Sequence, residues 1–312
     1  MPNQKKRSKN NQKIPVNRRT ADRKKDNPIP VVIAAGITIA LILLGLIVYF
    51  TASEGKRMSR QSGESETDTM PKPGISNPAI ETASDYTESQ YGIEMVYVRG
   101  GALMLGCAPE HDDGCYDYEK PSHQVTLGNF YIGKYEITQA QWQAVMQSNP
   151  SNFKGNDLPV ENVSWEDAQE FIRKLNAATG KTYRLPTDAE WEYAARGGRK
   201  SLGYIYSGSD NVEEIAWYEG NSKSRTHSIG TKGANELGIH DMSGNVWEWV
   251  SDRYNESEDV EKTYVEDSGK SSFRVIRGGG WGTYARGLRV SNYFNNGYDN
   301  RYYILGFRLA CD

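Results

Sequence analysis

The sequence contains only three cysteines and four histidines among its 312 residues. Cys107 and Cys115 have one histidine near them, His111, whereas zinc usually takes four ligands, so a metal site is the weaker interpretation. The favoured interpretation is a local disulfide across the polar loop that separates them, which an oxidising compartment would permit. Cys311 is the odd cysteine, and it could compete for either of the other two.

Charged side chains are absent from residues 31–50, VVIAAGITIALILLGLIVYF. A helix of this length spans about 30 Å, the thickness of a bilayer's hydrocarbon core. Cleavable signal peptides have shorter apolar cores of about 7–15 residues, and a buried helix of a soluble domain would keep a polar face. The pattern therefore predicts one uncleaved transmembrane helix.

Aromatic side chains are absent from residues 1–30, which contain ten Lys or Arg and two Asp, a net charge of +8. The whole chain has a net charge of -3, so the remainder carries -11. With no ring for base stacking, this basic head is interpreted as a topology signal rather than a nucleic-acid site. It predicts a cytoplasmic N-terminus, a single-pass anchor in the cell membrane, and a C-terminal body in the periplasm or outside the cell.

Aliphatic residues are scarce in residues 51–91, which are rich in Ser, Thr, Glu, Gly and Pro, so this segment is predicted to be a flexible stalk. All seven tryptophans lie between Trp142 and Trp281, which indicates one aromatic-rich domain over residues 92–312. Residues 95–98 and 102–105 have the pattern of a β-hairpin, and 124–127 and 130–132 are also strand-like. Three helices are predicted to begin at hydroxyl N-caps, each followed three residues later by a side chain that completes a capping box: Thr138, Ser164 and Thr187.

Six segments of this domain resemble the formylglycine-generating enzyme family, also called sulfatase-modifying factors. They are EKPSHQVTLGNFYIGKYEITQAQW (119–142), LPVENVSWEDAQEF (158–171), YRLPTDAEWEYAARGG (183–198), LGIHDMSGNVWEWVSD (237–252), RGGGW (277–281) and LGFRLA (305–310), in the order of the family. The resemblance implies an α+β, C-type-lectin-like fold with little regular secondary structure.

The same resemblance bears on catalysis. Enzymes of the family oxidise a cysteine of a sulfatase, using copper held by two thiolates, and soft thiolates suit Cu(I). The positions that match those thiolates are Thr283 and Leu288, and Gly280 replaces the serine of the motif. No copper is therefore expected, and a non-catalytic member is favoured.

Calcium is the cofactor that the resemblance retains. The positions that match a structural calcium site of the family are Asp241, Gly244, Val246 and Glu248. Carboxylates and backbone carbonyls are the hard oxygen ligands that calcium takes. A tight turn in which the two carboxylates only accept hydrogen bonds is the alternative.

Residues 277–308 are rich in Gly, Tyr, Asn and Arg, with Asp299 as their one acid. This mixture is typical of adaptable contact surfaces, and the segment also resembles the variable region of proteins diversified by retroelements. The predicted ligand-binding residues are Gly282, Thr283, Tyr284, Gly287, Tyr293, Phe294, Tyr302 and Tyr303. Ordinary surface loops, or aromatic core residues of an irregular fold, are the alternative interpretations.

Three functions follow. The favoured one is a membrane-tethered module that binds a protein or glycan outside the cytoplasm. The second is a formylglycine-generating oxidase that uses an unrecognised site, and the third is an accessory subunit of an envelope assembly.

Overall fold

The computed structural model describes residues 83–107, 114–254 and 272–312. The predicted basic head and transmembrane helix, and most of the predicted stalk, lie outside these residues. Within the described ranges, no helix is both long and apolar enough to cross a bilayer.

The folded domain begins before residue 92. Strand β1 (Tyr86–Glu88) pairs antiparallel with β2 (Ile93–Val98), and the ring of Tyr86 packs edge-on against Tyr131, with 5.1 Å between ring centroids. The predicted stalk boundary is therefore too late by at least six residues. A strand of three residues is too short for its alternation to stand out from a polar linker.

The next strands form an antiparallel ribbon. Strand β2 pairs with β5 (Phe130–Gly133), and β3 (Ala102–Leu105) pairs with β4 (His123–Thr126). The predicted hairpin between residues 95–98 and 102–105 is wrong, because β2 and β3 run one after the other along the same partner segment.

Gly100 explains why this connection is a crossing and not a turn. Its backbone passes so close to the segment of β4 and β5 that an added Cβ would lie 2.2 Å from the carbonyl oxygen of Leu127 and 2.3 Å from that of Gly128. Only glycine permits such a close approach. Gly100 therefore serves the close passage of two extended segments.

A second four-stranded sheet lies near the C-terminus. It contains β6 (Trp247–Arg253), β7 (Phe273–Arg277), β8 (Tyr293–Gly297) and β9 (Leu305–Gly306), in the order β8-β7-β6-β9. Only β9 runs parallel to its neighbour. Strand β10 (Ala310–Cys311) then returns to the first sheet and pairs with β5, which gives the order β1-β2-β5-β10.

The three predicted helix starts are confirmed. Helices α1 (Gln139–Met146), α2 (Trp165–Thr179) and α3 (Asp188–Ala195) follow Thr138, Ser164 and Thr187, and each N-cap forms a complete capping box. Helix α2 ends at Gly180, with a φ of 69°. After α3, the described residues contain one more α-helix, the single turn α4 (Val212–Ile215).

The core is built on aromatic side chains. Helix α2 buries Ala168, Phe171, Ile172 and Leu175, whereas Trp165 is only half-buried. The Phe171 ring stacks on Trp142 at 5.3 Å between centroids and meets Phe307 edge-on at 5.5 Å. Helices and sheets therefore pack around large rings, and long loops such as 277–292 are held against this frame.

Candidate functional site

The two positions that match the family's copper thiolates have structural roles. The Thr283 hydroxyl accepts a hydrogen bond from the Gly280 N–H (2.9 Å), and the Thr283 carbonyl accepts one from the Glu219 N–H (3.1 Å). Leu288 is fully buried in a small apolar cluster with Ile215 and Ala216. Neither side chain offers a soft ligand or a thiol nucleophile.

Most of the predicted ligand-binding residues are on the surface. Gly282 is exposed, and the exposed fractions of the large side chains are 70% for Tyr284, 57% for Phe294, 45% for Tyr302 and 51% for Tyr303. Thr283, Gly287 and Tyr293 are half-buried. An added Cβ at Gly287 would lie 2.6 Å from Cγ2 of Thr283, so this glycine shapes the loop.

Trp281 joins part of this set into an aromatic patch. Its ring stacks on Tyr303 with 5.7 Å between centroids and meets Phe153 edge-on at 5.8 Å. The Trp281 indole N–H also donates to the Tyr303 carbonyl (3.0 Å). Phe153, Trp281 and Tyr303 together form the Trp281 patch.

Tyr293 and Phe294 do not share one face. They are consecutive on β8, so their side chains point to opposite sides of the sheet. The Tyr293 hydroxyl donates to the Tyr118 carbonyl (2.7 Å), whereas Phe294 packs near Trp247, with 6.3 Å between ring centroids. The eight predicted residues are thus divided between surfaces.

Each arginine of residues 277–308 has a partner within the protein. Four form ion pairs with acids from other segments: Arg277 with Asp188 and Glu192, Arg289 with Glu119, Arg301 with Asp167, and Arg308 with Glu248. The fifth, Arg286, donates to the carbonyls of Gly114 and Cys115. The local positive charge that the sequence indicates is therefore largely neutralised within the fold.

A basic segment that the sequence reasoning missed lies next to the Trp281 patch. Lys223 and Arg225 are exposed, and neither has an ion pair with any described residue. Lys232 lies over the Trp217 ring, 4.5 Å from its centroid, and Trp217 in turn stacks on His227 at 3.7 Å. The charge cluster over residues 223–232 was visible in the sequence, but its position became clear only in the fold.

Asn245 holds these parts together. It is fully buried, and its φ of 60° is in the left-handed region. Its backbone carbonyl accepts from the Trp281 N–H (2.7 Å), its N–H donates to the Trp217 carbonyl (2.8 Å), and its side-chain oxygen accepts from the His227 N–H (3.0 Å). One side chain and its backbone thus fix the Trp281 patch relative to the Trp217–His227 stack.

Glu248, one of the predicted calcium residues, forms a buried ion pair with Arg308. Both carboxylate oxygens of Glu248 accept from the Arg308 guanidinium at 2.7 Å, and one also accepts from the Trp191 indole N–H at 2.7 Å. Gly244 has a φ of 97° and donates its N–H to the Gly278 carbonyl, while Val246 is fully buried.

Two more carboxylates are buried close by. One oxygen of Asp241 accepts from the Gly230 N–H (2.7 Å), and the oxygens of Glu136 accept from the Asn245 side-chain amide and the Val246 N–H. Burial is the main cause that raises the pKa of both carboxyls. The charges of Asp241 and Glu248 raise the pKa of Glu136 further.

This arrangement does not fit a calcium ion bound through the Glu248 side chain. Its two oxygens are occupied by Arg308, and an ion would have to displace the guanidinium. Within the part of the chain that the structure describes, no group of three or more His, Cys, Asp or Glu could hold a metal. Calcium at these four positions stays a prediction.

The predicted disulfide is confirmed between Cys107 and Cys115. Residues 114–119, which include Cys115, pack against the C-terminal loop, where the Tyr118 hydroxyl donates to the Asn292 side chain (2.9 Å). Cys311 is buried and unbridged, with Sγ 3.3 Å from the Tyr86 hydroxyl oxygen.

Comparisons with known proteins agree with this geometry. A family model described as "Sulfatase-modifying factor enzyme 1-like domain" matches residues 82–312. Chaperone protein LppX of Paenibacillus barcinonensis is 37% identical over 253 residues, which cover 65% of this chain and 82% of that protein.

Two further similarities are informative. "Inactive C-alpha-formylglycine-generating enzyme 2" of Bos taurus is 31% identical over 169 residues, and the match spans 49% of this chain and 50% of that protein. Among solved structures, Treponema denticola variable protein 1 has a TM-score of 0.63 and 29% identity, covering 73% of this chain and 98% of that one. The chain is therefore similar to proteins whose names differ in what they say of activity.

Proposed function

Because the chain belongs to the sulfatase-modifying factor family, with its formylglycine-generating-enzyme-like, C-type-lectin-like fold, we propose that it is a membrane-anchored, non-catalytic member that binds a ligand outside the cytoplasm. Residues 31–50 would anchor it, with residues 1–30 in the cytoplasm. The Cys107–Cys115 disulfide supports an exported domain, since disulfides persist in oxidising compartments.

The side chains at two positions are unsuited to the family's copper chemistry. Thr283 and Leu288 stand where the resemblance places the thiolates, and Leu288 is enclosed by apolar neighbours. Cys311, the one unbridged cysteine, lies on β10 beside Tyr86. Copper held by two thiolates needs a pair, and these positions do not supply one.

The observation that carries the binding function is the exposure of large aromatic side chains around the Trp281 patch. Tyr284, Tyr302 and Tyr303 are each about half or more exposed, although folding usually buries much of such rings. Aromatic side chains provide large contact area at low entropic cost and are frequent anchors in binding sites. Buried neighbours such as Asn245 keep the surface rigid, which lowers the cost of binding.

The test uses the full-length chain in detergent micelles on an array of neutral and acidic glycans and on a peptide-display library. We expect at least one binder whose affinity falls tenfold or more in the triple variant Tyr284→Ala/Tyr302→Ala/Tyr303→Ala. Leu202→Ala, an exposed apolar side chain outside the predicted set, is the matched control and should leave binding unchanged. No binder at all, or equal binding by the triple variant, would contradict the proposal.

An oxidase assay tests the non-catalytic part separately. The full chain is incubated with copper, oxygen and a cysteine peptide of the sulfatase type, and the peptide mass is followed. We expect no peptide with the mass of the formylglycine product, whatever part of the thiol is oxidised to disulfide by copper and oxygen alone. Conversion to formylglycine would overturn our interpretation of Thr283 and Leu288.

An accessory role is the second candidate, favoured by the 37% identity to a protein named as a chaperone. In this case the surface would bind one envelope protein of the same cell. Cross-linking in intact membranes followed by mass spectrometry separates the two: a single stoichiometric protein partner favours the accessory role, and its absence favours a free ligand.

A further inference from the structure

The turn at residues 222–225 has an unusual backbone. Lys223 and Ser224 have φ values of 56° and 58°, so two consecutive non-glycine residues are left-handed, a strained arrangement that costs about 1 kcal/mol or more for each. The Ser222 hydroxyl accepts from the Ser224 N–H (3.2 Å) and donates to the Trp281 carbonyl (2.8 Å). This hydroxyl therefore holds the turn directly against the Trp281 patch.

The turn presents two cations that the fold leaves uncommitted. The arginines of residues 277–308 all have partners within the protein, whereas Lys223 and Arg225 are exposed and have no acid partner among the described residues. Glu219 is the one acid within residues 217–232, and its carboxylate forms no ion pair with Lys223 or Arg225. An incoming anion could therefore bind one ammonium group and one guanidinium group without displacing a protein carboxylate.

Two pairs of stacked rings lie next to this turn, because Ser222 is hydrogen-bonded both to Trp281 and to His227. The Trp281–Tyr303 stack and the Trp217–His227 stack are both fixed by Asn245, and Tyr284 follows directly on the Trp281 segment. The negative face of an aromatic ring attracts the C–H groups of a sugar ring, and it adds apolar contact area. Rigid rings beside free cations match a ligand that has both flat C–H faces and acid groups.

We infer that this surface binds an acidic saccharide, an inference that rests on the proposed binding function. The sugar rings would lie against the Trp281 patch and Tyr284, and the acid groups would pair with Lys223 and Arg225. A carboxylate or sulfate is a bidentate partner for arginine. A nucleic acid fits less well, because single strands are usually held in a basic groove that follows several phosphates, and this turn presents two uncommitted cations, Lys223 and Arg225. An acidic peptide has the charge but lacks the rigid C–H faces that stacked rings select.

The experiment measures binding of two acidic probes to the full-length chain in detergent micelles: a hexagalacturonate and a heparin-derived sulfated hexasaccharide. We expect at least one to bind. For hexagalacturonate the methyl ester keeps the sugar faces and removes the charge. For the heparin-derived probe, desulfation keeps the sugar faces and removes the sulfate charges, while the carboxylates remain. The uncharged form should bind tenfold or more weakly.

The decisive variant is Lys223→Gln/Arg225→Gln, with Lys200→Gln as the matched control, since Lys200 is an exposed cation of another turn. The double variant should bind the acidic probe about tenfold more weakly, bind the uncharged form as the wild type does, and show a smaller loss of affinity as salt rises. Lys200→Gln should behave as the wild type. An unchanged thermal midpoint in the double variant shows that it folds.

Three results would overturn this inference: no binding of either acidic probe, equal binding of charged and uncharged forms, or tighter binding of a dT12 oligonucleotide or hexaglutamate. If another binder is found that depends on Tyr284, Tyr302 and Tyr303, the proposed binding function stands while the acidic saccharide is rejected. If nothing binds, both fail.

Discussion

At the scale of single residues, Glu161 is a buried carboxylate beneath the loop that carries Phe153. One oxygen accepts from the Phe153 N–H (2.8 Å), and the other has no hydrogen-bond partner among the described residues. Burial is the main cause that raises the pKa of Glu161 to about 7, against the opposing effect of backbone hydrogen bonds and Lys154. The folded state therefore binds this proton more tightly than the unfolded chain does.

The sign of the pH effect follows from that raised pKa. The contribution of Glu161 to stability is fully present below its unfolded pKa of 4.5 and is lost as pH rises through about 7. We predict that Glu161→Gln removes this decline. The unfolding free energy of the variant, relative to that of the wild type, should therefore rise by at most about 3 kcal/mol between pH 4.5 and 8. Urea denaturation across this range measures it.

Glu166→Gln is the control, because Glu166 is exposed on the first turn of α2. Its pH profile should follow that of the wild type. If the profiles of Glu161→Gln and the wild type were parallel from pH 4.5 to 8, the account of Glu161 would be wrong.

The buried pair of Arg308 and Glu248 gives a second prediction. Both side chains are fully buried, and Arg308 also donates to the carbonyls of Gly133 and His240. Arg308→Met would leave Glu248 as an unpaired buried charge near Asp241, which should cost about 3–5 kcal/mol of unfolding free energy. Adding Glu248→Gln removes that charge, so the double variant should recover part of the loss.

Urea denaturation of the four proteins of this double-mutant cycle gives the coupling. Arg173→Met is the comparison, since Arg173 is an exposed partner of Glu170 on α2. Its loss should change the unfolding free energy little. A double variant that is less stable than Arg308→Met alone would exclude the unpaired-charge explanation.

At the scale of elements, the helices depend on their N-caps. Ser164 is fully buried, its hydroxyl accepts from the Asp167 N–H (3.1 Å), and the Asp167 carboxylate also binds Arg301. Ser164→Ala should lower the unfolding free energy by about 1 kcal/mol, as for other N-caps. Ser84→Ala, at an exposed position before β1, should have no effect in the same thermal or urea measurement. Equal stability of both variants would mean that the cap is not needed for α2.

Helix starts were predictable and strand partners were not. A capping box is a local signal, because the N-cap hydroxyl and the side chain that completes the box lie three residues apart. Strand pairing depends on distant segments, so residues 95–98 and 102–105 showed where strands occur but not that both pair with the segment of β4 and β5. β1 was missed for the same reason, since its partner alone makes it a strand.

At the scale of the whole molecule, the proposed topology makes a direct prediction. In a bacterial host, alkaline phosphatase fused after Asp312 should be active, because the fusion point would lie outside the cytoplasm. The same fusion lacking residues 31–50 should be inactive and should leave the membrane fraction. An active reporter without residues 31–50, or an inactive one with them, would contradict the anchor.

The sequence by itself determined the family and the three helix starts, because these depend on residues close together in the chain or on motifs in order. It favoured the Cys107–Cys115 pairing, which the structure then decided against Cys311. Charge and hydropathy likewise predict the anchor, which lies outside the described residues.

Only the tertiary structure decided which groups meet. It paired the arginines of residues 277–308 with distant acids, placed Arg308 on Glu248 where calcium was predicted, and put Tyr293 and Phe294 on opposite faces. It also brought Lys223 and Arg225 beside the Trp281 patch through Ser222 and Asn245. Burial and charge neutralisation depend on neighbours far apart in sequence, and no local pattern records them.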